Sequence, residues 1–330
     1  MFGAKKLKIE EYGFGALRSA SPAMAPRIEF QARGREIKVD LRANCSPVED
    51  QLTLGACNAC AVVGALEYQM LKTGKPLVNL SPLFVYYNGR KLAGMEKEDA
   101  GLLCHHATAS IMAYGACEEK VWPYKVDKFD KAPPKDSYEN ARMFEATQYA
   151  RLGSSEEAKV SLSQGMPIVF GFDIPRSYYS AAATTGRMPA VGSFDREPMS
   201  GHAMLIVGYD DNDGTWLARN SWGEDFGEKG YCRIPYELAN RYVWNDELWA
   251  IGSLETIQSA RLTGPTVQQS VHDVQARGAQ QANDALKALR KEISDDLQKR
   301  TDDAKTSIRD RLREQERQLE AKRDRGDQNR

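Results

Sequence analysis

Residues 50–72 read DQLTLGACNACAVVGALEYQMLK, and from Cys57 to Lys72 the stretch is mostly apolar and rich in the helix formers Ala, Leu, Glu and Met. It is too long for a single strand, so it predicts a helix opening at Cys57. A thiol in the first turn of a helix feels the positive end of the macrodipole and unpaired N–H groups, both of which favour the thiolate. Gln51, six residues upstream, is placed to offer a side-chain amide to an oxyanion.

Outward from this segment, the first half of the chain reads as helical and the second as strand-rich. Ala107–Tyr114 and Ser154–Ser163, the latter with a Ser-Ser-Glu-Glu start, are further helix candidates. Pro167–Asp173, Ala203–Tyr209, Thr215–Asn220 and Gly230–Ile234 read as short strands divided by Gly, Asp and Asn turns. That order predicts an α+β fold of two lobes with a cleft between them. Gly201-His202-Ala203 heads one apolar strand and Asn220-Ser221-Trp222-Gly223 ends the next. Cys57, His202 and Asn220 therefore supply a nucleophile, its base and the base's orienter.

Composition narrows the classes. The 330 residues carry 45 Lys and Arg against 46 Asp and Glu, a net charge of −1. This balance excludes a globally basic nucleic-acid binder. No apolar run approaches the roughly 18 residues of a membrane span, and MFGAKKLKIEEYGFG at the start has no apolar region behind its charges. Six cysteines in so long a chain do not make a disulfide scaffold. The expected location is the cytoplasm, or outside by a route needing no classical signal. By texture, residues 1–36 form an N-terminal arm long enough to reach and block the cleft, 37–255 a globular domain and 256–330 a charged tail. In that tail Ala282, Leu286, Leu289, Ile293, Leu297, Ala304, Ile308, Leu312 and Leu319 make a narrow helical stripe. The stripe fits either a solvated single helix or a coiled-coil seam for self-association or a partner helix through residues 280–320.

Three segments carry a family resemblance. DQLTLGACNACAVVGALEY, GHAMLIVGYDD and RNSWGEDFGEKGYCRI resemble the glutamine–cysteine, histidine and asparagine segments of papain-like cysteine peptidases, the bacterial members above all. LSPLFVYYNGR and YGACEEKVWPY resemble landmarks lying between them, and the 145-residue gap from Cys57 to His202 suits the family. The likeness runs from about Val39 to Leu254. It implies the papain two-lobe fold, Cys57 as nucleophile, His202 as base and then acid, Asn220 as orienter, and Gln51 with the Cys57 N–H as oxyanion hole. It further implies Trp222 shielding the Asn220–His202 bond, Gly101 pairing with an extended substrate, and peptide-bond hydrolysis through a thioester with neither metal nor organic cofactor. The substrate is then protein or peptide, with no nucleic acid and no membrane involved. Two other readings use the same residues: a silent papain-like scaffold acting through its tail, and an acyl transferase passing the thioester to an amine.

Some residues depart from the family or invite other chemistry. Ala56 replaces serine, Phe226 replaces a second tryptophan, Leu54 stands where many relatives carry a disulfide cysteine, and Asn58 replaces tryptophan in what would be the cleft wall. Cys57 and Cys60 form a Cys-x-x-Cys, in which Cys60 is expected in the core, with oxidation to Cys57 as a further hypothesis. Cys104 is expected to be structural, with His105 and His106 at the surface; Cys45, Cys117 and Cys232 read as small buried hydrophobes. His272 is expected in solvent, and Asp210-Asp-Asn-Asp213 as a plain turn rather than a calcium loop.

Overall fold

The computed structural model describes residues 7–20, 22–30, 35–144, 148–194, 197, 199–252 and 260–327. In chain order the elements are β1 (Ala16–Leu17), β2 (Arg27–Phe30), β3 (Lys38–Asp40), α1 (Cys57–Lys72), α2 (Pro82–Leu92), β4 (Leu102–Leu103), α3 (Cys104–Ala113) and α4 (Lys135–Ala141). There follow β5 (Gln148–Arg151), α5 (Ser155–Ser163), β6 (Ile168–Pro175), α6 (Arg176–Thr185), β7 (Met199–Asp210), β8 (Thr215–Arg219) and β9 (Tyr231–Pro235). The chain closes with α7 (Tyr236–Tyr242), β10 (Val243–Gly252), β11 (Ala260–Thr263) and α8 (Val267–Asp327).

The fold is α+β. Helix α1 begins at Cys57, and every residue from Cys57 to Tyr68 is buried. A helix apolar all round belongs inside a protein, and α1 lies between α2 on one side and β7 on the other. Ser81 caps α2, accepting from the Phe84 N–H at 3.2 Å ahead of Pro82 in the first turn. Ser154 caps α5 in the same way through the Glu157 N–H, as its Ser-Ser-Glu-Glu start predicts. The second lobe is a sheet in the order β11-β2-β5-β10-β6-β7-β8-β9, with β3 paired to β7. One core gathers Val62, Phe84 and Ile111 around α1; the other gathers Phe170, Trp216 and Ile234 on the sheet.

Several expectations change once the chain is folded. Arg27–Phe30 of the N-terminal arm form β2, which pairs with β5 and with β11 inside the sheet. Two compact units are present, 1–285 and 286–330, so the globular part extends well beyond residue 255. Within the first unit, Val271 and Val274 of α8 pack on Leu92 and Ala109. His105 and His106, expected at the surface, are 3% and 0% exposed. Both place Nε2 at 3.1 Å from Gln281 Oε1 on α8, and Gln281 in turn donates to Asp273. Asn58 is fully buried: its amide donates to the Leu102 carbonyl at 2.6 Å and its oxygen accepts from Cys104. Cys45 is half-buried, and all six cysteines are free thiols. His272 is exposed, and residues 211–214 form a turn after β7. Among the described residues no helix is long and apolar enough to cross a membrane.

Candidate active site

The site is assembled by the junction of the lobes. Helix α1 delivers Cys57 at its first turn, β7 delivers His202, and the residue after β8 is Asn220. His202 Nε2 lies 2.8 Å from Asn220 Oδ1, which leaves Nδ1, buried and without a partner, as the ring nitrogen available to a thiol. Trp222 lies over the imidazole, ring centroids 4.9 Å apart, and is itself fully buried. Excluding water strengthens the His202–Asn220 hydrogen bond, since little competes with it in a low dielectric.

The glutamine is held from several sides. Its backbone N–H donates to the Ser221 carbonyl at 2.9 Å, and its carbonyl accepts from the Tyr124 hydroxyl at 2.8 Å. The Ser221 hydroxyl donates to Gln51 Oε1 at 2.5 Å, which fixes the amide so that Nε2 is the end presented as donor. Gln51 Nε2 donates to the Leu54 carbonyl at 2.8 Å and to the Gly13 carbonyl at 3.0 Å. A backbone carbonyl of the N-terminal arm therefore accepts from the candidate oxyanion donor.

The arm continues through the site. Tyr12 stacks on Trp222 at 5.0 Å, and Phe14 packs against His202 at 5.6 Å, Trp222 at 5.5 Å and Tyr179 at 5.3 Å. The Gly15 carbonyl accepts from the Leu102 N–H at 2.7 Å, and β1 then runs parallel to β4. Gly101, at φ +79°, faces the Gly15 carbonyl so closely that a Cβ there would overlap it. Cβ atoms on Gly13 or Gly15 would likewise run into the backbone of Leu54 or Gly55. Gly15 meets Gly55 and Gly101 backbone to backbone, and Gly13 meets the backbone of Leu54, so a Cβ at any of these points would force the chains apart.

Burial sets the charge state of this closed arrangement. Cys57 is wholly buried, which raises its thiol pKa, while N–H groups of Ala203, Gly15 and Asn58 directed at the sulfur oppose the shift. Burial also takes the His202 imidazole down from 6.5 to about 4, against the opposing hydrogen bond to Asn220. Both groups are therefore neutral at pH 7 while the arm is in place. Cys60 is buried, and desolvation pushes its thiol pKa well above 9.0. Among the described residues no cluster of three or more His, Cys, Asp or Glu side chains is arranged to hold a metal ion.

Sequence reading singled out Cys57, His202, Asn220, Gln51, Gly101 and Trp222, and the fold brings all six to this cleft. It did not find Ser221 as the partner of Gln51, or Tyr12–Leu17 as the cleft's occupant. The sequence reading offered the whole arm, residues 1–36, as a segment able to block the cleft, but not which of its residues enter it.

Comparison with known proteins bears on this arrangement. A model described as papain family cysteine protease matches residues 36–250. The chain is 35% identical over 213 residues to an uncharacterized peptidase C1-like protein of Acanthamoeba polyphaga mimivirus, covering 61% of this chain and 68% of that one. It is 30% identical over 208 residues to cathepsin S of Bos taurus, covering 58% of this chain and 57% of that one. The structure of xylellain, a cysteine protease from Xylella fastidiosa, matches with a TM-score of 0.67 at 28% identity, over 74% of this chain and 97% of that one. Procathepsin L 3 from the larval midgut of Tenebrio molitor shares the fold, with a TM-score of 0.56 at 18% identity over 74% of this chain and 78% of that one. With almost two thirds of its length matched to the family, and that length folded as xylellain is, this chain is a hydrolase of the papain family of cysteine proteases.

Proposed function

We propose that the protein is a cysteine endopeptidase in which Cys57 attacks the peptide carbonyl and His202 Nδ1 accepts the thiol proton. The tetrahedral oxyanion is received by Gln51 Nε2 and the Cys57 N–H. His202 then returns the proton to the departing amine, leaving a thioester on Cys57. Water attacks the thioester, with His202 again taking the proton, and restores the thiol. Asn220 holds the imidazole throughout. The observation that carries the reading is the His202 Nε2–Asn220 Oδ1 contact of 2.8 Å, beside a cysteine at a helix start and a donor amide already occupied by a carbonyl. Alkylation by an epoxysuccinyl inhibitor, mapped by peptide mass spectrometry, tests it. An adduct on Cys57 that disappears in His202→Ala supports an activated thiol. Absence of any adduct, including after removal of the first 17 residues, supports a silent scaffold instead.

The arm is read as an inhibitor built into the chain. Residues Tyr12–Leu17 fill the cleft, while β2 keeps the arm tethered to the sheet. A pH dependence follows. The His202 imidazole, at about 4 under the arm, returns toward its ordinary 6.5 when the arm leaves and water enters. Between those two values the open form binds a proton that the closed form does not. Lowering the pH therefore favours opening, by at most about tenfold per unit. The activity of the full chain, divided by that of a chain lacking its first 17 residues, is expected to rise as pH falls from about 7 to about 5. A flat ratio would remove the arm from the control of His202.

The tail is read as a surface for self-association. Leu289, Ile293 and Leu297 are 41%, 51% and 60% exposed on one stripe of α8. Leu289→Glu with Ile293→Glu is expected to reduce the mass seen by sedimentation equilibrium to that of a single chain. A wild-type protein already monomeric at high concentration would end this reading.

A further inference from the structure

Arg219, the last residue of β8, is a buried charge that the reaction itself does not use. Its side chain is 2% exposed. One terminal nitrogen donates to the Ser46 carbonyl at 2.9 Å and to the Ser46 hydroxyl at 3.1 Å. The other donates to the Pro47 carbonyl and to Glu49 Oε2, both at 2.6 Å. All four bonds thus reach one segment, Ser46–Glu49, which ends two residues before Gln51. The guanidinium also lies on α1: a Cβ added to Gly64 would stand 3.4 Å from Cζ and Nε.

Beyond Arg219 the same two segments are joined along the backbone. The Gln51 N–H donates to Ser221, the Gly223 N–H donates to Glu49, and Asp50 bridges to Trp222. The residue that follows Arg219 is Asn220, which holds His202. Segment 46–55 belongs to no sheet, so its place against β8 depends on these few bonds. A charge taken out of water is tolerated only where it is paired and fully hydrogen-bonded, and such a geometry is rigid.

We propose that Arg219, through Glu49 and the Ser46–Pro47 carbonyls, is a positioning residue that holds Gln51 and Asn220 in one frame, so that the oxyanion donor and the orienter of the base keep a fixed separation. The inference rests on the peptidase reading above. Its claim is specific: loss of Arg219 displaces the oxyanion donor more than it disturbs the thiol.

The test compares Arg219→Met, Arg219→Lys and Glu49→Gln in the full-length chain carrying Gly15→Ala, so that occupancy of the cleft by the arm is not a variable. In Arg219→Met, kcat is expected to fall by about 10–100-fold with KM little changed, because a small misplacement of a donor is costly. Affinity for a peptide aldehyde, whose adduct needs the oxyanion hole, should fall by the same factor. Alkylation of Cys57 by iodoacetamide, which does not need it, should keep its rate. Arg219→Lys should retain more activity than Arg219→Met, and Glu49→Gln should lie between wild type and Arg219→Met. Unchanged kcat and aldehyde affinity in Arg219→Met, whatever its melting temperature, would overturn the proposal. So would equal losses in aldehyde binding and alkylation. If Arg219→Met does not fold, Glu49→Gln decides by the same two readouts. If the parent chain neither turns over peptides nor binds the aldehyde, the peptidase reading has failed and hydrogen exchange judges the frame. Faster exchange at Gln51 and Gly223 in Glu49→Gln, with α2 unchanged, then supports the frame, and unchanged exchange rejects it.

Discussion

Cys57→Ala is expected to abolish peptide hydrolysis, by about 10⁴-fold or more, because no other group near the cleft can form the thioester. The remaining thiols are poor substitutes. Burial pushes Cys60 and Cys104 well above the ordinary thiol range and Cys117 up to about 12. His202→Ala should cost nearly as much, and the double variant scarcely more than either alone, since residues that act as a unit are not additive. Gln51→Ala removes one oxyanion donor, worth about 2.7–4 kcal/mol in comparable sites, or roughly 10²–10³ in kcat. Asn220→Ala leaves nucleophile and base in place but frees the imidazole to rotate, so its loss should be smaller than that of His202→Ala. Turnover of a quenched peptide library, normalised to folded protein by circular dichroism, separates these cases. Wild-type turnover in Cys57→Ala would refute the assigned nucleophile. Equal losses in Asn220→Ala and His202→Ala would mean that Asn220 does more than orient.

What could be read from the sequence, and what could not, follows from how local each feature is. Helix α1 was legible end to end, Cys57 to Lys72, because a sixteen-residue apolar run has few other places to go. Strand positions were legible and their ends were not: β7 begins at Met199 rather than Ala203, because pairing with β6 carries it through the polar Ser200 and Gly201. Cys57 and Asn220 stood out because one opens a helix and the other follows a strand, while His202, read as the head of a strand, lies inside β7. His105 and His106 were misplaced to the surface because Gln281 of α8, which covers them, lies 176 and 175 residues away and reads as solvated tail. The partners of Asn58, Leu102 and Cys104, lie more than 40 residues away and were likewise not legible locally. The Arg219–Glu49 pair spans 170 residues and carries no local pattern at all. The arm as a segment able to block the cleft was read from its length, but the residues that enter were not, since the groove is built from residues near 50, 100, 200 and 220 and exists only after folding.

Gly15→Ala in the otherwise intact chain is expected to raise peptidase activity, by roughly 5–150-fold, although Gly15 takes no part in the chemistry and meets Cys57 only while the arm is closed. The closed state puts Gly15 against the backbone of Gly55 and places its carbonyl 2.7 Å from the Leu102 N–H. A methyl group at Gly15 meets the Gly55 backbone, which cannot turn aside as a flexible side chain would. Relief requires the arm to lift, at the loss of the hydrogen bonds from Gln51 to Gly13 and from Leu102 to Gly15. With each such bond worth about 0.5–1.5 kcal/mol net, two of them move a closed–open equilibrium by roughly 5–150-fold. Gly13→Ala collides with Leu54 in the same manner and should act in the same direction. Phe14→Ala removes ring contacts with Tyr179, His202 and Trp222 without any clash, so it should open the cleft less than Gly15→Ala if steric overlap dominates. The core of the enzyme is untouched by these changes, and β2 remains in the sheet, so thermal unfolding should shift little. The decisive measurement is the rate of Cys57 alkylation and of peptide turnover in full-length wild type, Gly15→Ala and a chain lacking residues 1–17. Rates that rise together in the two altered forms identify the arm as the inhibitor. Equal rates in all three would mean that the arm leaves the cleft too readily to restrain it.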